Sequence, residues 1–205
     1  MSKAELTKQR IIEKAAILFN KHGYAGSSIN DLMKLTGLQK GGIYNHFKSK
    51  DEIAVAAFDH TLGSILAAAI AKVSTQTTSI DRLHAFVDSF RGFTTQPIGE
   101  GGCPILNTAV ESDDTHPLLR RHAQEAVNSI MALIASIVEL GIRQGEIIDT
   151  ANHEQVSTIV LASIEGAIMM SKLYGSDIYL DRSIEHLHGY INSLSLLPID
   201  SGSHI

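Results

Sequence analysis

The chain has one cysteine, Cys103, among 205 residues, so no intrachain disulfide can form. A reducing cytoplasm is the simplest compartment to expect. Only four prolines are present and 44% of residues are hydrophobic, which excludes a proline-rich linker chain and disorder over most of the length. No stretch approaches about 18 consecutive apolar residues, so an ordinary membrane-spanning helix and a membrane partner are not expected. The first ten residues, M-S-K-A-E-L-T-K-Q-R, lack the apolar segment of a secretory signal, which again points to the cytoplasm. Catalytic signatures are missing too: there is no G-x-S-x-G elbow, H-E-x-x-H pair, phosphate loop or dinucleotide fingerprint. One cysteine and ten scattered histidines make no catalytic arrangement, so neither an enzyme nor a cofactor is expected.

What is present is unevenly distributed. Residues 1–60 carry nine Lys/Arg against six Asp/Glu, net +3, while the remainder carries eight against sixteen, net -8. A small basic reader on an acidic body fits this asymmetry, because the acidic part repels phosphates elsewhere. Charge alone names no partner.

Apolar periodicity is helical throughout. Residues 6–22 place Ile11, Ile12, Ala15, Ala16, Leu18 and Phe19 at helical spacing, with Gly23 positioned to stop the helix. Ser28 and Asp31 form a capping pair for a helix burying Ile29, Leu32 and Met33, and Gly37 ends it. A helix over 39–46 follows, burying Ile43 with Phe47 behind it. Ser49 and Glu52 cap a long helix to about Ala71. Beyond a polar connector at 74–79, helices are expected at 80–93, 105–110, 118–140 (stopped by Gly141), 153–174 and 178–197, with a Pro/Gly-rich loop at 94–104. The last two helices are apolar on more than one face, which suits pairing across a homodimer or an ordinary monomeric core.

The order helix, Thr36-Gly37 turn, second short helix and basic exit over residues 27–50 suits a helix-turn-helix whose second helix enters a DNA major groove. Gly41 and Gly42 are costly in a helix, about 1 kcal/mol each relative to Ala. They make sense if backbone must approach DNA closely, or they are a tolerated pair beside a turn. Gln39 can offer both donor and acceptor to a base edge, Lys40 can donate to guanine or phosphate, and Tyr44 can meet a thymine methyl or a phosphate. His46, Lys48 and Lys50 suit phosphates, with Ser28 and the amides at its helix start contributing; Lys48 reads equally as a solvated lysine. Phe47 is a core residue.

The segments G-Y-A-G-S-S-I-N-D-L and T-G-L-Q-K-G-G-I-Y-N-H-F-K-S-K-D-E closely resemble the TetR/AcrR family of transcriptional regulators across residues 8–58. The body over 75–197 is similar in length and helix order, and G-G-C-P-I-L-N-T near 101–108 resembles a segment of one large subgroup. The resemblance implies an all-α fold: a three-helix reading domain over residues 1–50, packed on a linking helix at 50–72, and a helical effector-binding and dimerisation domain over 51–205. It implies a homodimer, paired through the last two helices, that represses from a palindromic double-stranded operator and leaves it when a small-molecule effector binds. It maps Tyr44, His46 and Lys50 onto backbone contacts, and Gln39, Lys40 and Gly42 onto groove contacts. Tyr24 maps onto a packing position.

The effector's identity is not legible. The family layout points to Phe86, Phe90 and Phe93, to Cys103, Ile105 and Asn107, and to Met131, Ile134, Ser163 and Glu165; Phe and Met at helical spacing serve equally well as plain core. Cys103, after two glycines and near a helix start, suits a low-pKa sensor thiolate or an inert buried thiol. Asp113, Asp114, His116 and His122 have no recognised metal-ligand spacing, and His186 and His188 point to different sides of a helix, so no metal is expected. A helical adaptor that binds only protein is the remaining alternative, and it leaves the exposed Gln39–Lys50 face without a purpose.

Overall fold

A computed structural model of the chain describes residues 2–196; the expected end of the last helix at Leu197 and the tail at 198–205 lie outside the described residues. The described chain is all-α: α1 (Lys3–His22), α2 (Ile29–Thr36), α3 (Lys40–Tyr44), α4 (Lys50–Val73), α5 (Ser79–Asp88), α6 (Pro104–Ser112), α7 (Pro117–Gln144), α8 (His153–Tyr174) and α9 (Ile178–Ser193). Short 3-10 turns lie at Phe93–Thr95 and Pro97–Gly99, and one antiparallel bridge pairs Ile147 with Ser195. The residues pack as two compact units, one running to Ile65 together with Thr94–Ala126, the other Leu66–Phe93 together with the chain from Val127 on. α4 and α7 each contribute to both.

In the first unit, Ile11, Ala15 and Leu18 recur along α1 at spacings of three and four and pack with Leu32, Ile43, Phe47, Ile53 and Ala57. Ile11, Leu32 and Ile43 have no exposed surface, and Ile29 and Met33 of α2 pack against the same core half-buried. Caps set the helix limits. The Ser28 hydroxyl accepts from the Asp31 amide at 3.2 Å while the Asp31 carboxylate accepts from the Ser28 amide at 3.0 Å. Gly37, at φ 69, turns the chain left-handed and stops α2. Ser49 and Glu52 cap α4, with the Glu52 amide donating to Ser49 Oγ at 3.1 Å and the Lys48 amide to Glu52 at 2.6 Å. The first unit also takes in Thr94–Ala126, a boundary that no local pattern marks.

In the second unit, α5 buries Leu83, Phe86 and Val87 and packs on α9, while α8 packs on α9 through faces that include Ile164, Ile168, Leu180, Ile184 and Leu187. The buried Ser171 hydroxyl accepts from the Leu180 amide at 3.0 Å, stitching the α8–α9 turn. Three helix limits differ from expectation. The last helix, expected to run on to 197, ends at Ser193 with Leu194 as its cap, where the Leu194 amide turns back to the Ile191 carbonyl at 3.0 Å. α5 stops at Asp88 instead of Phe93, because the Ser89 hydroxyl donates to the Phe86 carbonyl at 2.6 Å and Gly92 then adopts φ 67. α7 runs through Gly141 to Gln144. A Cβ on Gly141 would lie 2.6 Å from Ile147 Cδ1 and 2.8 Å from Ser79 Cβ, so this glycine permits close packing and does not end the helix.

The expectation that no helix could cross a membrane also needs correction. α4, α7 and α8 are each long and apolar enough to do so by length and composition. A criterion of unbroken apolar runs misses them because isolated polar residues interrupt long apolar stretches. Their buried faces supply Ile53, Ala57, Ile134 and Ile164 to the two cores.

Candidate nucleic-acid interface and effector residues

α3 is a helix of five residues, shorter than the expected 39–46, with Gln39 as its N-cap residue and Asn45 closing it through an amide bond to the Gly41 carbonyl at 2.9 Å. Within the helix only Ile43 is buried, while Leu38 before it and Phe47 after it pack on the same core. Ile43 is fully buried, so the opposite side of so tight a helix faces outward: Gln39, Lys40 and Gly41 are exposed, and Tyr44 is 38% exposed. Lys48 and Ser28 are exposed, and His46 is half-buried. Among the described residues no hydrogen bond engages the side chain of Gln39, Lys40, Tyr44, His46 or Lys48. Lys40 Nζ stands 6.0 Å from the Tyr44 ring centre, at the edge of cation–π range.

The glycines separate here. A Cβ on Gly41 would meet nothing within 4 Å, and one on Gly42 would make only ordinary contact with Leu38 at 3.6 Å. Internal packing therefore requires neither glycine.

Lys50 is placed differently from its neighbours. It is half-buried, and its ammonium donates to the Tyr24 carbonyl at 2.5 Å while lying 4.0 Å from the Tyr24 ring centre. Burial lowers its pKa, against the opposing pull of the Glu111 and Asp51 carboxylates.

That lysine belongs to a junction that the sequence reading missed. The Tyr24 hydroxyl donates to Asp51 at the start of α4. The Tyr24 ring meets the His116 ring edge-on, centres 4.7 Å apart, and His116 Nε2 lies 3.5 Å from the same Asp51 carboxylate. His116 Nδ1 accepts from the Leu119 amide at 3.3 Å, which leaves the proton on Nε2, toward Asp51. Glu111, in α6, accepts the Tyr24 and Ala25 amides, both at 2.7 Å. One turn back along α1, Asn20 Nδ2 donates to the carbonyls of Glu100 and Gly102, both at 2.9 Å, and Asn107 Nδ2 donates to Asn20 Oδ1 at 2.9 Å. Desolvation, then the bond to Asp51, pushes the Tyr24 phenol up to about 12. The Tyr24 hydroxyl and His116 hold the Asp51 carboxyl below its usual value, against a smaller burial effect. Residues such as Tyr24 and Glu111 are 87 positions apart, so no local signal links them.

The effector candidates divide between the two units. Phe86, Phe90 and Phe93 come together in the second, with ring centres 5.6 and 5.9 Å apart, and all are buried. Ile134 is fully buried, and Met131, Ser163 and Glu165 are half-buried in the same unit. Cys103, Ile105 and Asn107 belong to the first unit. Cys103 is the N-cap residue of α6, as its glycine context suggested, but it is only 7% exposed, which favours the inert thiol over the accessible sensor. The weighed metal residues disperse: Asp113 meets Arg120, His116 meets Asp51 and His122 meets Asp59, and no group of three potential ligands assembles among the described residues.

Two family models match: residues 11–57 match the N-terminal model described as bacterial regulatory proteins, tetR family, and residues 79–187 match the tetracyclin repressor-like C-terminal domain. A TetR transcriptional regulator from Chloroflexus aurantiacus J-10-FL superimposes with a TM-score of 0.92 at 38% identity, over 97% of this chain and 100% of that one. A TetR-family regulator from Cytophaga hutchinsonii gives 0.87 at 34% identity, over 97% and 99%. The HTH-type transcriptional regulator LmrA of Bacillus subtilis (strain 168) is 29% identical over 168 residues, 80% of this chain and 86% of that protein.

Proposed function

Because this chain belongs to the TetR family of DNA-binding transcriptional regulators, we propose that it acts as a cytoplasmic homodimeric repressor, without a membrane partner, that leaves a palindromic operator when a small molecule binds. The observation that carries the DNA reading is the outward side of α3, where Gln39, Lys40, Gly41 and Tyr44 are exposed and the Gln39, Lys40 and Tyr44 side chains make no hydrogen bond to the described residues. Lys40 and Gln39 read base edges beside the glycine backbone at Gly42. Tyr44, His46, Lys48 and the Ser28 helix start hold phosphates. Lys50 contributes its charge to that set while its ammonium remains tied to Tyr24.

Two such heads are needed to read a palindrome. Met169, Leu173, Tyr174 and Ile178, exposed around the end of α8 and the start of α9, suit the pairing surface. The effector is received within the second unit, around Phe86, Phe90, Phe93, Met131, Ile134, Ser163 and Glu165.

Selection of genomic fragments with purified protein at two salt concentrations tests this reading. One enriched palindrome, bound more weakly at higher salt, is expected. Lys40→Ala is the better control than Lys50→Ala, because losing Lys50 would also disturb Tyr24. Absence of binding by both proteins would restore the protein-only adaptor.

A further inference from the structure

A cavity of about 190 Å³ opens between α1, α4, α6 and α7 within the first unit, directly behind the Tyr24 junction. We infer that it is a binding site for a small, largely apolar ligand the size of a single aromatic ring, bearing a neutral donor or an ammonium group, and that its occupancy loosens the reading head. The site is separate from the cluster of Phe86, Phe90 and Phe93, although Asn107 lines its rim.

Size and lining set the ligand class. Ala16, Phe19, Ala54, Ala57, Phe58 and Leu119 form the apolar wall. α4 turns small alanines toward this space where larger side chains would have closed it. A dry apolar cavity of about 150 Å³ suffices for benzene.

The polar side sets the charge. Thr61, Thr108, Glu111 and His116 line it, and no lysine or arginine does. Glu111 is a half-buried carboxylate whose two oxygens each accept a backbone amide, with Asp51 beyond it on Tyr24 and His116. Lys50, over the Tyr24 ring, does not line the cavity and is already bonded to the Tyr24 carbonyl. An anionic ligand would face the Glu111 carboxylate with no lysine or arginine in the lining to offset it, whereas an ammonium or hydroxyl group could donate to Glu111.

The same carboxylate supplies the coupling. Glu111 holds the Tyr24–Ala25 turn that leads through Ser28 into α2, so a ligand donor competing for its oxygens releases the turn on which the helix-turn-helix is mounted. This last step rests on the DNA-binding role; the binding step does not.

Calorimetric titration of the full chain with benzylamine, benzyl alcohol and benzoate separates the two steps. Saturable binding of the first two, with benzoate at least tenfold weaker, is expected. Thr61→Met, which fills the cavity with a flexible side chain, should abolish binding while circular dichroism stays unchanged. Ala54→Val serves if that variant does not fold. Benzylamine should bind more tightly than benzyl alcohol through its charge on Glu111, and Glu111→Gln should erase that preference. No saturable binding to the wild type, or undiminished binding by a folded cavity-filled variant, overturns the site. With the selected operator in hand, saturating benzylamine should weaken DNA binding at least threefold in the wild type and not in Thr61→Met. Ligand binding with unchanged DNA affinity overturns the coupling, while absence of DNA binding under all conditions overturns the regulator reading and leaves the calorimetric result standing.

Discussion

The outward side of α3 and the Tyr24 junction lie in the same unit, and they treat polar groups in opposite ways. On α3 and its cap, Gln39, Lys40 and Tyr44 are exposed, and their side chains make no hydrogen bond to the described residues. At the junction, Tyr24, Asp51, Glu111, His116 and Lys50 each bond at least one other member of the group or the backbone turn it holds. Half-buried polar groups are costly unless paired, so the junction is closed on itself. The α3 side keeps its donors and acceptors for another molecule, on a helix of five residues in which only Ile43 is buried. Local order is thus imposed from behind, and the side chains that the proposed DNA reading uses stand in front.

Four experiments sharpen or break that contrast. The largest effect is expected from Glu111→Ala, which leaves the Tyr24 and Ala25 amides without their acceptor. Urea unfolding should show a loss of about 1–3 kcal/mol, with base preference at the operator unchanged; an unaltered midpoint would mean the junction holds nothing. Lys40→Ala should leave unfolding untouched, lower operator affinity about tenfold and flatten the salt dependence by about one unit if it meets phosphate. A change confined to one base pair would instead place it on a base edge. Gly41→Ala should stabilise the fold by up to about 1 kcal/mol and yet weaken DNA binding, because the new methyl meets nothing internally but stands where a groove wall would come. Equal affinity with raised stability would return the glycine pair to a merely tolerated turn.

The smallest effect concerns pH. The Tyr24 phenol is raised to about 12 in the folded chain, chiefly by desolvation, against an ordinary value near 10. Folding therefore favours the protonated form, and its contribution is full below about pH 10 and lost as pH rises toward about 12. Asp51 works in the other direction: its lowered pKa contributes above the ordinary carboxylate range and is lost as pH falls through the folded value. Tyr24→Phe should make stability fall less steeply at both extremes, as read from thermal midpoints across pH. Unchanged profiles would show that the hydroxyl bond to Asp51 does not contribute.

Much of the reading head was legible because its signals are local. Ser28 with Asp31, Gly37 in the left-handed region, and Ile43 with Phe47 act within a few residues of one another. The limits of α5 and α7 were not legible for complementary reasons. Ser89 ends α5 through a side-chain bond that competes with apolar periodicity, while Gly141, which looks like a stop, is needed because Ile147 and Ser79 press against the helix. The composition of α4, α7 and α8 likewise could not reveal how they are packed.

By itself the sequence determined the helices, the caps and the family, since these depend on spacings of three to seven residues and on a long contiguous motif. Only the tertiary structure decided that Lys50 turns inward to Tyr24, that Glu111 grips a turn 87 residues earlier, and that small side chains on α4 leave a cavity behind the reading head. Contacts at that separation arise from how helices pack, and packing leaves no periodic trace in the chain.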